Sequence, residues 1–307
     1  MRGLSPSAGT PDVAIHSGVL AAMAEGGEMP AWRYAICNEL FEGWSLQRVA
    51  QFCRELGYAG LELAPYTLTS SVYELGPAER AAIRREIESE GLTVAGLHWL
   101  LARTEGLGLN AADAETRERT VAYLLAEIDL CADLGGDALV LGSPAQRSPG
   151  PGVSQEQAWS YTAEAMRRCG ERALERGVAF CIEALPPPEC DFITTVDEAA
   201  RLVREVNHPG FSMMVDVKAM SYAAQPLDHQ ILSVGELIRH VHVNDPNLLG
   251  PGMGAVDVGP VLAALAEISY AGWVSVEAFD ASYGIKAIAR ESIANLRRAE
   301  PNLGEQA

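Results

Sequence analysis

Ionisable side chains end four successive apolar runs in the second half of the chain. These groups are Glu183 in AFCIE, Asp216 in MMVD, His242 in IRHVHVND and Glu277 in VSVE. Burying a carboxylate or an imidazole without a partner costs several kcal/mol, so such groups either pair with one another or face a ligand. Three carboxylates at one place would raise one another's pKa unless a cation lay among them. The pattern therefore predicts that these four side chains hold one divalent metal ion.

The ligand types narrow the choice of metal. Oxygen-rich ligation with a single imidazole favours Mn²⁺, Mg²⁺, Co²⁺ or Fe²⁺ over a structural zinc site, and we rank Mn²⁺ first. His240 shares a strand face with His242, because side chains repeat every second residue, and we expect it one layer deeper as a hydrogen-bonded core histidine. Helix capping is the alternative for each acid, above all for Asp216, since Asp is a common N-cap residue.

Strand and helix patterns alternate along most of the chain. Runs of apolar residues typical of strands occur at 33–39, 59–63, 93–99, 137–142, 178–184, 211–217, 240–245 and 273–279. Between them, residues 45–57, 116–136 and 196–206 have the three- and four-residue apolar spacing of helices. Glycine follows several of these helices, at Gly57, Gly135 and Gly177, as expected at helix C-termini.

Eight strands with intervening helices predict an α/β fold, a (β/α)₈ TIM barrel in a single domain over residues 32–300. A doubly wound sheet is the alternative, but the Gly-rich phosphate turn typical of its first strand is missing after Cys37. Barrel active sites lie at the C-terminal ends of the strands, which is where the four ionisable residues occur.

The two ends of the chain differ from this pattern. Residues 1–31 are rich in Gly, Ala, Ser and Pro without sustained periodicity, which predicts a flexible N-terminal leader, and residues 301–307 form a C-terminal tail. Met29 is a candidate for the true start of the protein.

The composition of the chain argues against nucleic acid and membranes as binding partners. The formal net charge of −18 disfavours nucleic acid and anionic membrane surfaces, because both bind through clustered Lys and Arg. No apolar run approaches the ~20 residues that span a bilayer. The six cysteines are scattered and form no CxxC pair, which is typical of a reduced, cytoplasmic protein.

The motifs resemble those of a known superfamily. CIEAL, MVDVKAM, HVHVND and GWVSVEAFD, together with GYAGLEL and GLHWLLA, occur in the order and spacing of the xylose isomerase-like TIM barrels over residues 33–298. Within that superfamily the sequence resembles the sugar phosphate isomerase/epimerase group, which includes the ketose 3-epimerases.

This resemblance implies a chemistry. Glu183, Asp216, His242 and Glu277 would hold one divalent metal, and Glu183 and Glu277 would also act as an acid/base pair. The implied function is a sugar or cyclitol isomerase/epimerase that removes a proton next to a carbonyl through an enediolate. The family also implies a homo-oligomer, a dimer or tetramer.

Three other functions compete with this one. A metal-dependent lyase or dehydratase on a keto-sugar or keto-cyclitol would use the same barrel and metal site. A DNA-repair endonuclease of the same fold would need more histidines than the six present and a less acidic surface. A non-catalytic sugar-binding barrel is the fourth possibility.

Five further residues are candidates for substrate binding. Glu189 matches a substrate-contacting acid of the ketose epimerases, with a solvated loop residue as the alternative. Glu62 and His98 lie at strand ends and either contact substrate or belong to a network. Lys218 is one of only two lysines and follows a metal ligand, although a surface lysine is the alternative. Arg147 lies in the Pro- and Gly-rich loop after the fourth strand and could bind an anion or merely connect two elements.

Three departures from the epimerase pattern leave the substrate open. The histidine usual three residues after the sixth-strand Asp is Ala219 here, and residues 186–188 are Pro-Pro-Pro in place of an Asn-Arg pair. The loop after His242 also lacks the usual arginine.

Overall fold

Eight short parallel strands pair in sequence order, and the last pairs with the first, so that the sheet closes into a barrel. The protein is described by a computed structural model over residues 32–301. The strands are β1 (Arg33–Cys37), β2 (Gly60–Leu63), β3 (Thr93–Leu97), β4 (Ala138–Leu141), β5 (Ala179–Ile182), β6 (Phe211–Asp216), β7 (Ile238–Val243) and β8 (Trp273–Val276). The predicted TIM barrel is confirmed. The predicted leader with Met29, and the tail apart from Pro301, lie outside the described residues.

Helices follow the strands around the outside of the barrel. They are α1 (Leu46–Leu56), α2 (Pro77–Ser89), α3 (Ala114–Leu134), α4 (Pro144–Arg147), α5 (Gln155–Arg176), α6 (Val196–Val206), α7 (Val217–Met220), α8 (Leu227–Val234), α9 (Gly259–Glu267) and α10 (Ile285–Ala299). Several begin at side-chain caps, and Ser154 forms a capping box with Gln157 at the start of α5. The glycines predicted to end α1, α3 and α5 do so in the left-handed conformation. Within residues 32–301 no helix is long and apolar enough to cross a membrane.

The strands end earlier than the apolar runs suggest, because the chain leaves the sheet where polar side chains begin. The fifth strand ends at Ile182, so Glu183 follows it directly, and the eighth ends at Val276, just before Glu277. Strand β7 instead begins two residues earlier than expected, because Ile238 pairs with Met213.

Strand register brings two of the candidate ligands, Asp216 and His242, to one height at the mouth of the barrel. Asp216 lies beside His242 in the pairing of β6 with β7, and His242 lies beside Ser275 in the pairing of β7 with β8. Because all strands are parallel, their C-terminal ends share one face, and the residues just after them meet there.

Candidate active site

Four side chains from adjacent strands converge at the C-terminal mouth. Glu183, Asp216, His242 and Glu277 each offer one ligand atom, and these atoms all lie within 4.8 Å of one another. All four residues are buried, with Glu183 the most accessible at 8%. These are the four residues that the sequence predicts as a metal site, and the fold brings them together.

The imidazole of His242 is oriented from below by Glu62. His242 Nε2 lies 3.0 Å from Glu62 Oε1, and His240 Nε2 lies 2.8 Å from Glu62 Oε2. Burial acts to raise the pKa of Glu62, but the two histidines more than offset it and hold the pKa well below its usual value. An ionised Glu62 accepts a hydrogen bond from each Nε2–H, so Nδ1 is the nitrogen of His242 that remains for a ligand.

That second nitrogen faces the carboxylate of Glu277. His242 Nδ1 lies 3.2 Å from Glu277 Oε2 and, within the described chain, has no hydrogen-bond partner. Burial acts to lower the pKa of His242, but Glu62 and Glu277 raise it well above its usual value. The surroundings therefore favour positive charge between these two groups. A divalent cation would satisfy both the nitrogen lone pair and the carboxylate, so the donor set fits a metal.

Glu277 is fixed from the opposite side by two residues that directly follow β3, His98 and Trp99. Its Oε1 lies 3.1 Å from His98 Nδ1 and accepts a hydrogen bond of 3.2 Å from Trp99 Nε1. The other ring nitrogen of His98 lies 3.0 Å from Glu39 Oε2. Burial acts to raise the pKa of Glu277, but His242 and His98 hold it below its usual value. Glu277 is therefore an ionised and firmly oriented carboxylate.

Asp216 both caps a helix and joins the cluster. Its Oδ1 accepts a hydrogen bond of 2.7 Å from the Ala219 amide at the start of α7, and its Oδ2 accepts one of 2.6 Å from Asn244 Nδ2. Burial and the nearby Glu277 raise the pKa of Asp216 to about 6. Capping and membership of the cluster are thus compatible, because each oxygen retains a further lone pair.

Glu183 experiences the repulsion expected among crowded carboxylates. Burial, with Glu277 and Asp216 nearby, raises its pKa to about 8. Its Oε2 approaches the backbone at Gly142 so closely that any Cβ there would collide with it. A glycine at the end of β4 is therefore required for the position of this carboxylate.

A pocket of about 260 Å³ opens above the cluster. Its walls include His98, Glu189, Lys218 and Phe279 as well as Glu183, His242 and Glu277. Lys218 Nζ donates a hydrogen bond of 2.7 Å to Glu189 Oε1 and lies 4.4 Å from the ring centre of Phe279. Lys218 is only 6% exposed, so it is not a surface lysine. Three of the predicted substrate-binding residues, His98, Glu189 and Lys218, thus line the pocket.

The other two predicted contacts lie elsewhere. Glu62 is fully buried beneath His242 as a network residue. The Arg147 guanidinium is also fully buried and donates to the backbone carbonyls of Leu141, Glu183 and Ile193. Neither residue lines the pocket, and Arg147 instead ties the ends of β4 and β5 to the following loop.

Sequence reasoning missed three residues that hold the cluster. Asn244 supports Asp216, and its place directly after a strand carrying two histidines was an available signal. Glu39 and Trp99 follow the first and third strands, where the same rule of polar strand ends applies. The left-handed backbone of Trp99, with φ of 54°, has no sequence signal, since this conformation is uncommon for a residue with a bulky side chain.

Comparisons with known proteins agree with this architecture. A family model described as xylose isomerase-like TIM barrel matches residues 50–299. D-psicose 3-epimerase of Ruminiclostridium cellulolyticum is 29% identical over 127 residues, which are 41% of this chain and 43% of that protein. Sequence matches with two such epimerase relatives span only about half of their lengths.

Solved structures match over nearly their whole length. A D-psicose 3-epimerase solved in the presence of D-fructose superposes with a TM-score of 0.77 at 21% identity, covering 87% of this chain and 99% of that one. A 3-keto-D-glucoside 4-epimerase from E. coli gives a TM-score of 0.76 at 18% identity, covering 87% and 100%. The family model covers most of the chain, and the closed eight-stranded barrel is the fold that this model describes. The chain belongs to the xylose isomerase-like TIM barrel family.

Proposed function

We propose that this protein is a sugar or cyclitol isomerase/epimerase that uses one divalent metal, Mn²⁺ by preference. One observation carries the proposal: four ligand groups lie within 4.8 Å of one another beneath a pocket of about 260 Å³. The similarity to proteins named D-psicose 3-epimerase and 3-keto-D-glucoside 4-epimerase supports a sugar as the substrate.

Each proposed role follows from the place of the side chain. Glu183, Asp216, His242 and Glu277 would hold the metal, which when bound would polarise the carbonyl of the sugar and its adjacent hydroxyl. Glu183 and Glu277 are the proposed acid/base pair: one removes the proton next to the carbonyl and the other returns a proton. His98 and Trp99 keep Glu277 oriented, and Lys218 with Glu189 would hydrogen-bond sugar hydroxyls at the pocket wall.

Other properties remain predictions from the sequence. A cytoplasmic location is consistent with the six cysteines, all of which are free and buried. We also expect a homodimer or homotetramer, as the family resemblance implies.

The decisive experiment is proton exchange in D₂O. Metal-stripped protein is reloaded with Mn²⁺, Mg²⁺ or Co²⁺ and incubated with a panel of ketoses, aldoses and keto-cyclitols, and the sugars are then examined by NMR. We expect metal-dependent deuterium at a carbon next to the carbonyl, fastest with Mn²⁺. The product spectrum separates an epimer or aldose/ketose isomer from the elimination product that a lyase would give.

Variants test the proposed pair. We expect Glu183→Gln and Glu277→Gln to abolish exchange, because an amide cannot carry the proton. The matched control is Glu175→Gln, an exposed residue of α5 outside the pocket, which should exchange at the wild-type rate. Absence of exchange with every sugar, although Mn²⁺ binds, would contradict the proposal and favour a binding role.

A further inference from the structure

A second cavity adjoins the catalytic pocket at the mouth of the barrel. Its volume is about 640 Å³, and it is lined by residues of the loops after β1, β2, β3 and β8. The catalytic pocket lies instead over the ends of β3 to β8. Trp99 and Phe279 line both cavities, and their ring centres lie 6.3 Å apart at a tilt of 69°. These two rings form a shared wall.

Aromatic side chains dominate the second cavity. Trp44 and Tyr66 join the two rings of the shared wall, and all four residues are only half-buried. The guanidinium of Arg103 lies 4.2 Å from the ring centre of Tyr66, which extends this flat surface. Half-exposed rings arranged around a concave site favour a ligand with an apolar, planar face.

The two cavities differ in size and in charge. Sites for ligands of drug size measure about 300–1,000 Å³, so the second cavity suits such a group whereas the catalytic pocket is smaller. In the catalytic pocket Lys218 is paired with Glu189, whereas in the second cavity Arg103 stacks on Tyr66 and is the one cation of the wall among the described residues. Glu39 and Glu42 add negative charge to the second cavity. A phosphate or carboxylate therefore fits poorly there.

We infer that the second cavity binds the aglycone of a keto-glycoside, an uncharged group containing an aromatic ring, while the sugar ring occupies the catalytic pocket. This inference rests on the proposed function, because it takes the reacting half of the substrate to be a sugar. The site would make a glycoside a better substrate than a free monosaccharide. The bound aglycone would contact Trp99 and Glu39, which also hold Glu277 in place directly or through His98.

The first test measures binding without turnover. Phenyl β-D-glucoside and methyl β-D-glucoside are titrated into Mg²⁺-loaded protein, and their affinities are compared by saturation-transfer NMR and calorimetry. We expect the phenyl glycoside to bind about tenfold more tightly, the gain typical of one aromatic contact. Trp44→Ala should reduce this preference to about twofold or less, since it removes one wall of the cavity.

A matched variant controls for the loss of a tryptophan. Trp159 on α5 is also half-buried, and Arg201 lies 3.8 Å from its ring, as Arg48 does from Trp44. Trp159 is outside both cavities, so Trp159→Ala should retain the preference. A phenyl glycoside that binds no more tightly than the methyl glycoside, or a preference that Trp44→Ala leaves intact, would overturn the inference.

The second test separates this inference from the proposed function. The 3-keto forms of both glycosides and D-fructose are compared by kcat/KM for deuterium exchange. We expect the phenyl keto-glycoside to exceed the methyl one by about tenfold. Exchange with D-fructose but no preference for phenyl overturns the aglycone site alone. A phenyl preference in binding without exchange on any sugar overturns the proposed function alone.

Discussion

His242 and Glu62 form a buried contact of 3.0 Å between Nε2 and Oε1, and this contact determines which nitrogen of the imidazole can bind a metal. Glu62 accepts from His240 as well, so both of its oxygens are engaged. The second ring nitrogen of His242 is thereby directed at the carboxylate cluster, 3.2 Å from Glu277. A carboxylate that never touches the metal would therefore control its binding.

The first prediction concerns this supporting carboxylate. Glu62→Gln keeps the size of the side chain but replaces one acceptor oxygen by an NH₂ group, which cannot accept from either histidine. The remaining carbonyl oxygen can accept from only one of the two histidines, and the negative charge that favours a proton on Nε2 is lost. His242 is then held less firmly, and we expect Mn²⁺ to bind about 10–100-fold more weakly. Calorimetric titration of metal-stripped protein measures the change.

Glu127 provides the matched control, because it is also a fully buried glutamate but lies on α3, away from the cluster. Glu127→Gln should bind Mn²⁺ with wild-type affinity. If Glu62→Gln also retained that affinity, Glu62 would have no part in orienting the ligand.

The second prediction concerns Asn244. Its Nδ2 donates to Asp216 Oδ2, and its Oδ1 accepts from the Lys218 amide at 2.7 Å. Asn244→Leu removes both contacts, so that only the Ala219 amide still holds the Asp216 carboxylate, and one buried amide loses its acceptor. We expect about tenfold weaker Mn²⁺ binding and a loss of about 1–3 kcal/mol in the free energy of unfolding. Metal titration and urea denaturation measure the two effects.

Asn247→Leu is the control for this variant. The side chain of Asn247 also makes two hydrogen bonds, one donated to the Met253 carbonyl and one accepted from the Leu249 amide, but it lies in an exposed loop beyond the cluster. Its loss should leave metal affinity unchanged. Equal weakening by both substitutions would show that the loop as a whole, rather than the contact with Asp216, determines the affinity.

The sequence predicts the barrel and the four clustered residues because both depend on local patterns. Strand and helix periodicity are visible in short windows, and polar residues at strand ends mark the mouth. The role of Glu62 could not be read in this way. Its partner His242 lies 180 residues away, and the alternation of faces along a strand gives no measure of depth inside the barrel.

Arg147 illustrates a second limit of sequence reasoning. An arginine in a Pro- and Gly-rich loop is compatible with anion binding, yet this guanidinium is surrounded by backbone carbonyls. Which carbonyls lie within reach of the guanidinium depends on how the loops after β4 and β5 pack, and that packing has no local sequence signal. Asp216 shows the same limit. The sequence offers helix capping and membership of the cluster as alternatives, whereas in the structure one side chain does both.

The third prediction tests the structural role of Arg147. Arg147→Met fills similar space but removes the charged donor from the carbonyls of Leu141, Glu183 and Ile193. Those of Leu141 and Ile193 still accept from a backbone amide. We expect the free energy of unfolding to fall by about 3 kcal/mol, because several buried acceptors lose a charged partner. Urea denaturation measures this effect. A variant of wild-type stability with a raised KM would instead indicate that Arg147 contacts substrate.

The fourth prediction concerns stability against pH and rests on Glu127. Both of its carboxylate oxygens are buried and, among residues 32–301, have no hydrogen-bond partner. Burial raises the pKa of Glu127 well above its usual value, and Arg80 offsets this only in part. The unfolded chain therefore releases this proton near its ordinary pKa of about 4.5, whereas the folded protein retains it to higher pH.

The sign of the pH dependence follows from this difference. Above pH ~4.5 the unfolded state binds fewer protons than the folded state, so the contribution of Glu127 to stability falls as pH rises, by at most about 1.4 kcal/mol per pH unit. Glu127→Met removes the titrating group and the buried polar atoms. We expect this variant to unfold at higher urea concentration than wild type at pH 7, with the difference shrinking towards pH 4.

Glu127→Gln separates the two contributions, since it abolishes the titration but still buries a polar amide. Its stability difference from wild type should change with pH in parallel with that of Glu127→Met. At every pH the free energy of unfolding of Glu127→Gln should lie about 1–3 kcal/mol below that of Glu127→Met, which is the cost of burying an amide without a partner. A difference from wild type that stays constant between pH 4 and pH 7 in both variants would show that Glu127 titrates alike in the folded and unfolded chain, contrary to the raised pKa.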